Sequence, residues 1–131
     1  MVSYSNLIRN LAYLHDAKCL EVVWDCTGTK RRVMRIVVIV DQDAGFPAWD
    51  GKTLVITLSG VAVAHFTGWG NLIGEEYIDN WEQGISESLE KYCKVLESKG
   101  ISFPPLQFVV SFSSGSVLEV ICSDISIQEH K

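Results

Sequence analysis

The spacing of apolar residues along the chain changes from helical to extended near residue 18. In "SYSNLIRNLAYLHD" apolar residues recur every three or four positions, which predicts a short N-terminal helix from Ser3 to about Leu14. From Lys18 the period becomes two, and this alternation predicts a half-buried strand. The residues on its apolar face are Leu20, Val22 and Trp24. The pair His15-Asp16 falls at the corner between the two elements.

Two later segments also predict strands. "RVMRIVVIV", residues 32–40, is apolar on both faces and predicts a central strand in a sheet covered on both sides. "TLVITL", residues 53–58, alternates, and Gly60 predicts a bulge or a bend before "VAVAHF" continues in an extended course. Between these strands, "DQDAGFPAWDGK" has the Gly, Pro and Asp content of a loop.

The second half of the chain predicts one helix and a terminal hairpin. Residues 71–82 fit a strand as well as the start of a helix, and periodicity leaves both open. Beyond them an apolar stripe predicts a long helix that ends at Gly100. The stripe consists of Ile85, Leu89, Tyr92, Cys93 and Leu96. "LQFVVSFSSGSVLEVICSDISI" alternates on both sides of a Ser-Gly turn, which predicts a β-hairpin with a bulge near Asp124.

Together these elements predict an α+β fold in a single domain, residues 1–131. The expected architecture is a largely antiparallel, meander-like β-sheet packed by one long helix and a short N-terminal helix. A chain of 131 residues has the size of one domain with one core. A doubly wound parallel sheet would need several crossover helices, which the pattern does not offer.

The charge balance narrows the class of partner. The chain has 11 Lys and Arg residues and 16 Asp and Glu residues, which gives a net charge of −5. We therefore expect that it does not bind nucleic acid and that its partner is a basic protein. The basic cluster "KRRVMR" is expected to be a solvated hairpin tip. The longest aliphatic run, residues 36–40, is too short to span a bilayer, and no leader-like start is present. We therefore expect a cytoplasmic protein.

The motifs that resemble chemical sites all fail on spacing. His15-Asp16 has no further histidine at a metal-ligand spacing, so we predict that Asp16 accepts backbone hydrogen bonds at the corner. "DQDAG" lacks the later ligands of a calcium loop, and "GWGNLIG" misses the dinucleotide fingerprint by one residue. Four cysteines, Cys19, Cys26, Cys93 and Cys122, show no close pairs and are expected to be reduced. We expect no enzyme, metal or cofactor.

The loop after residue 40 carries the predicted partner-binding residues. Acidic groups beside a large aromatic side chain are typical of an interface for a basic protein. The alternative is that the side chains of Phe46 and Trp49 fold back onto the sheet edge. The sequence does not decide between an interface and this packed arrangement. The predicted partner-binding residues are Asp41, Asp43, Phe46, Trp49 and Asp50.

The stretches "LHDAKCLEVVWD", "LVITLSGV", "TGW" and "FSSGSVLEVICSDISI" cover more than half of the chain. In this order they resemble a family of small bacterial proteins without assigned activity, whose members are often immunity proteins that bind and block a cognate toxin. The resemblance implies an immunity protein that occludes a toxin domain, and it transfers no site residue. The charge balance predicts that this toxin domain is basic. A small ligand-binding β domain, a structural protein and an uncharacterised enzyme remain alternatives, and the oligomeric state stays open.

Overall fold

The computed structural model describes residues 8–25, 32–68 and 76–130, and over these residues the fold is α+β. The strands are β1 (Lys18–Asp25), β2 (Val33–Ile39), β3 (Thr53–Ser59), β4 (Val63–Thr67), β5 (Glu76–Gln83), β6 (Leu106–Phe112), β7 (Val117–Cys122) and β8 (Asp124–Glu129). They form one 8-stranded sheet in the order β4-β7-β6-β5-β1-β2-β3-β8. Every pairing is antiparallel, which confirms the predicted class of sheet.

Two helical segments accompany the sheet. Residues 8–10 are α-helical and continue as a 3₁₀ helix over Leu11–Leu14, while the predicted helix start at Ser3 lies outside the described residues. Helix α1 spans Glu87–Ser98, which is 12 residues or about three turns. The prediction of one long helix is therefore wrong. The chain remains extended in β5 up to Gln83, and the helix begins only where Ser86 accepts a hydrogen bond as its N-cap.

Helix α1 covers the outer face of β7. Leu89 and Cys93 are buried and pack in one small cluster with Ile121, while Tyr92 is 58% exposed and does not join the predicted stripe. The helix ends as predicted, because Gly100 adopts a left-handed φ of 89°. The segment 71–82, which the sequence left open between strand and helix, is strand β5 from Glu76 onward. Its first five residues, 71–75, lie outside the described residues, as do most of "CTGTKRR" and "GWGNLIG".

The sheet folds over on itself, so that two half-sheets enclose one core. The first half-sheet holds β1, β2, β3 and β8, and the second holds β4, β5, β6 and β7. Inward-facing residues of both, such as Ile36 and Phe108, belong to one buried cluster. The halves join where β1 meets β5, through the pairs Lys18↔Tyr77 and Cys19↔Glu76. The predicted meander-like order holds for β1-β2-β3 in the first half-sheet and for β5-β6-β7 in the second, whereas β8 pairs with β3 and β4 pairs with β7.

Two bends join the half-sheets at their other margin. Residues 60–62, with the bend at Gly60, separate β3 from β4, and Ser123 separates β7 from β8. A paired ribbon of strands thus passes from one half-sheet to the other. Gly60 has a φ of 61°, and a Cβ atom there would lie 2.5 Å from Ser123 Oγ. Glycine therefore fits both the backbone conformation and the close approach. The predicted bend at Gly60 is confirmed, and the bulge expected near Asp124 is a bend at Ser123.

Two predictions about burial are wrong. In β1, Val22 and Trp24 are 36% and 39% exposed, because β5 accompanies only the start of this strand and the register shifts after Cys19. Strand β2 is central in its pairing, between β1 and β3, but it is buried on one face only. Its inner residues Met34, Ile36 and Val38 are buried, whereas Ile39 on the outer face is 37% exposed.

We expect Gly60→Ala to lower the free energy of unfolding by about 2 kcal/mol or more, as measured by urea denaturation. A left-handed conformation costs a residue with a Cβ about 1–2 kcal/mol, and the contact with Ser123 adds to this cost. Gly51→Ala is the matched control, because Gly51 has a φ of 71° and its nearest neighbour for a Cβ is Gln42 Cγ at 3.4 Å. An equal loss in both variants would show that the approach to Ser123 is unimportant.

Candidate functional site

The loop between β2 and β3 is held by its own hydrogen bonds. The backbone N–H groups of Trp49 and Asp50 both donate to the carbonyl oxygen of Phe46 at 2.9 Å. In return, Asp50 Oδ1 accepts from the backbone N–H of Phe46 at 3.2 Å. Asp50 is half-buried, so its carboxylate orders the loop rather than standing free on its surface.

The aromatic residues of the loop fold back onto the protein. Phe46 stacks on Tyr13, with ring centroids 5.0 Å apart, and meets the edge of Trp49 at the same distance. Trp49 packs against the main core, which is the alternative arrangement considered for the sequence. Both Phe46 and Trp49 remain partly exposed, so each also contributes to the surface beside the acidic residues.

The acidic end of the loop borders a groove. Asp41 and Asp43 are exposed, and Asp41 lines a cavity of about 480 Å³ at the start of β1. We call this cavity the acidic groove. It is lined by Asp16, Lys18, Ile39, Asp41, Gln42 and Tyr77. The fold thus brings together Asp16 from the helix-to-strand corner and Asp41 from the predicted interface, a pairing that the sequence analysis did not foresee.

The corner at Asp16 has an unusual backbone. Asp16 has a φ of 67°, and it is the one non-glycine residue with positive φ in the described ranges. Its N–H donates to the carbonyl oxygen of Ile78 at 2.8 Å, while its carboxylate is 65% exposed and lies 3.7 Å from His15 Nε2. The expected backbone hydrogen bonds to this carboxylate are not found among the described residues. The side chain is therefore available to the acidic groove.

A second cavity, the apolar cleft, opens at the far end of β1. Its volume is about 480 Å³, and it lies between the half-sheets where β1 continues beyond β5. It is lined by Val22, Trp24, Met34, Phe66, Phe112 and Leu118, with Ala64 at its margin. None of these side chains is charged. The sequence signal for this cleft was the apolar face of β1, which the sequence analysis interpreted only as the buried face of a half-buried strand.

A third cavity, the outer pocket, lies between β4 and the start of α1. It has a volume of about 330 Å³ and is lined by Val63, His65, Ser88, Leu89, Tyr92 and Glu119, again with Ala64 at the margin. The sequence analysis did not identify it, because its two ionisable residues are 54 positions apart.

Glu119 is the buried polar centre of the outer pocket. Its Oε1 accepts from the backbone N–H of Ser86 at 2.6 Å, and its Oε2 lies 3.4 Å from His65 Nδ1. Burial by itself raises the pKa of this carboxyl, but the interactions with Ser86 and His65 outweigh burial and hold the pKa below its ordinary value. The ionised carboxylate on β7 therefore connects the N-cap residue of α1, Ser86, with His65 on β4.

In each of the three described cysteines, burial raises the pKa of the thiol. Cys19, Cys93 and Cys122 are free, and Cys26 lies outside the described residues. Burial raises the pKa of Cys19 and of Cys122 to about 11, so both remain protonated thiols near neutral pH. Within the described ranges no three His, Cys, Asp or Glu side chains lie close enough to hold a metal ion. Neither helix in these ranges has the length and apolar character needed to cross a membrane.

We expect Asp16→Asn to leave the free energy of unfolding within about 0.5 kcal/mol of the wild type, whereas Asp16→Val loses about 1–2 kcal/mol. Asparagine tolerates the left-handed conformation, and a β-branched residue does not. Both substitutions remove the same charge, so thermal and urea unfolding isolate the backbone effect. Equal stability of the two variants would contradict the role assigned to this backbone conformation.

We expect the stabilisation from Glu119 to be present above pH 4.5, the ordinary pKa of the carboxyl, and to be lost as the pH falls through its lower folded value. Glu119→Gln should therefore be less stable than the wild type at pH 7, with the difference shrinking in acid. Glu87→Gln, at an exposed position on α1, is the control and should show little difference. Urea denaturation across pH measures this, and a pH-independent gap for Glu119→Gln would refute it.

Comparison with known proteins assigns none of these surfaces to a family. The resemblance to immunity proteins rests on the sequence motifs quoted above, and where these motifs lie in the described residues they form strands and the corners between them. The functional argument is therefore built from the acidic groove, the apolar cleft and the outer pocket. No protein-family model matches the chain, and no curated protein is similar to it in sequence.

Proposed function

We propose that this chain is a cytoplasmic protein-binding protein that occludes a basic partner, in the manner of an immunity protein that neutralises a bacterial toxin domain. The acidic groove is the observation that carries the proposal. It combines the exposed carboxylates of Asp16 and Asp41 with partly exposed apolar surface on Ile39 and Tyr77. Carboxylates around an apolar centre are a common composition for a surface that receives Lys or Arg side chains.

The charges of this surface increase the rate of association with a basic partner more than they increase the affinity. Asp16, Asp41 and Asp43 are solvent-exposed, and exposed ion pairs contribute about 0–1 kcal/mol each. Their main effect is on encounter, because a negative field on a protein of net charge −5 attracts a basic partner over about a Debye length. Affinity must come from apolar contact, which Ile39 and Tyr77 offer in the groove and Phe46 and Trp49 offer beside it.

The distribution of charge also restricts the partner. Lys18 lines the same groove as Asp16 and Asp41, so the groove is not uniformly negative. A complementary surface presents a basic group to the two carboxylates.

The test uses the protein encoded immediately upstream of this chain's gene, because toxin and immunity genes lie side by side. We expect that protein to arrest growth when expressed alone and to be neutralised by co-expression of this chain. Surface plasmon resonance should show that Asp41→Asn/Asp43→Asn slows association by about tenfold at low salt and flattens its salt dependence, with little change in dissociation.

The matched control for this test is Glu87→Gln/Glu97→Gln on the exposed face of α1, which changes the net charge by the same amount. It should slow association far less than the loop variant, because its charges lie away from the groove. Equal effects of the two double variants would show a general charge effect and remove the loop from the interface. An upstream protein that neither binds nor inhibits growth would contradict the immunity function.

A further inference from the structure

The outer pocket contains a buried negative charge. Glu119 is 5% exposed, and its carboxylate is ionised near neutral pH, because the interactions with Ser86 and His65 outweigh the cost of burial. An ionised carboxylate has about four acceptor sites. The backbone N–H and the hydroxyl of Ser86 and the Nδ1 atom of His65 occupy part of this capacity. The carboxylate therefore retains acceptor capacity toward a ligand in the pocket.

No permanent cation balances this charge among the described residues. The lining of the pocket contains no Lys or Arg side chain, and the ion-pair partner that the described residues offer is His65, whose imidazole is charged only when protonated. The start of helix α1 carries about half of a positive charge, which offsets the charge of Glu119 only in part. Buried carboxylates are normally paired with a cation. The pocket thus keeps a negative charge that a cationic ligand neutralises.

The contact with Glu119 also determines the tautomer of His65. An ionised carboxylate can only accept a hydrogen bond, so the neutral imidazole donates from Nδ1 and carries its lone pair on Nε2. The polar groups of the pocket are therefore mainly acceptors, and the hydroxyl of Ser88 can serve as either donor or acceptor. A primary ammonium group matches this set, because it combines a positive charge with several N–H donors.

The remaining walls of the outer pocket are apolar. They are formed by Val63, Leu89 and the ring of Tyr92, which is 58% exposed. A cation close to the face of an aromatic ring is attracted by its quadrupole. The volume of about 330 Å³ lies at the small end of the range for ligand pockets. The pocket therefore fits a small molecule that has an apolar body beside its charge.

We propose that the outer pocket binds a small primary amine with an apolar body. The ammonium group binds the carboxylate of Glu119 and Nε2 of His65, and the apolar body contacts the ring of Tyr92. Residues 69–75, which follow β4 in the chain, contain no Lys or Arg and cannot supply this cation. The outer pocket shares no lining residue with the acidic groove, so the proposal does not depend on the proposed function.

Isothermal titration calorimetry with benzylamine on the full chain at pH 7 tests this proposal. We expect saturable binding at a single site. Benzyl alcohol has the same body without the charge, and benzyltrimethylammonium has the charge without N–H donors, so each should bind about tenfold more weakly. Nα-acetyl-lysine methylamide represents a Lys side chain of a protein. It should also bind about tenfold more weakly, because it lacks an aromatic body to pack against Tyr92.

Two pocket variants and one control locate the bound amine. Tyr92→Ala should weaken benzylamine about fivefold. Val95→Ala, at another exposed apolar position of α1 that does not line the pocket, should leave the affinity unchanged. Glu119→Gln should abolish binding, with thermal melting as the check on folding. If Glu119→Gln fails to fold, the comparison of Tyr92→Ala with Val95→Ala still decides the location.

Absence of benzylamine binding, or equal affinities for benzylamine and benzyl alcohol, would overturn the proposal. Equal effects of Tyr92→Ala and Val95→Ala would do the same. A lysine derivative that binds as tightly as benzylamine would assign the pocket to a Lys side chain of a partner protein instead. Tighter benzylamine binding by Lys30→Ala/Arg31→Ala would assign it to a cation of this chain, and that result also contradicts a site for a free amine.

Discussion

The close approach of Gly60 to Ser123 determines how this sheet encloses a core. At this point the ribbon of β3-β4 and β7-β8 turns from one half-sheet to the other, and a side chain at residue 60 would collide with Ser123. The turn places the inner faces of both half-sheets around Ile36, Phe108 and their neighbours. It also leaves β4 at one end of the strand order of the described residues, so the core and the position of β4 have a common origin.

The sequence identified the elements because each element obeys a local period. The alternation in β3 and in the β6-β7 hairpin predicted these strands, and the hairpin is observed with pairs such as Phe108↔Val120. The periodicity of apolar residues indicates which residues share a face of an element, but it does not indicate whether another layer covers that face. The exposure of Val22, Trp24 and Ile39 was missed for this reason, since it depends on where β5 stops accompanying β1 and on what covers β2.

The candidate sites depended on contacts between distant segments, and the sequence therefore showed only fragments of them. The acidic loop was recognised from its composition, but its neighbour Asp16 comes from a corner that the sequence analysis treated as architecture. The corner is indeed architectural in its backbone, at a φ of 67°, and its carboxylate is nevertheless 65% exposed beside the groove. One residue thus serves the fold through its main chain and the surface through its side chain. No periodic pattern distinguishes these two roles.

The attachment of α1 has a consequence for how the molecule opens. The helix buries Leu89 and Cys93 against Ile121 in a cluster separate from the main core, and its first turn is fixed by Glu119. Elements with few buried contacts exchange their amide hydrogens through local opening rather than through global unfolding. We therefore expect helix α1 to open as a separate cooperative unit, whose amides exchange with solvent before those of β2 and β6.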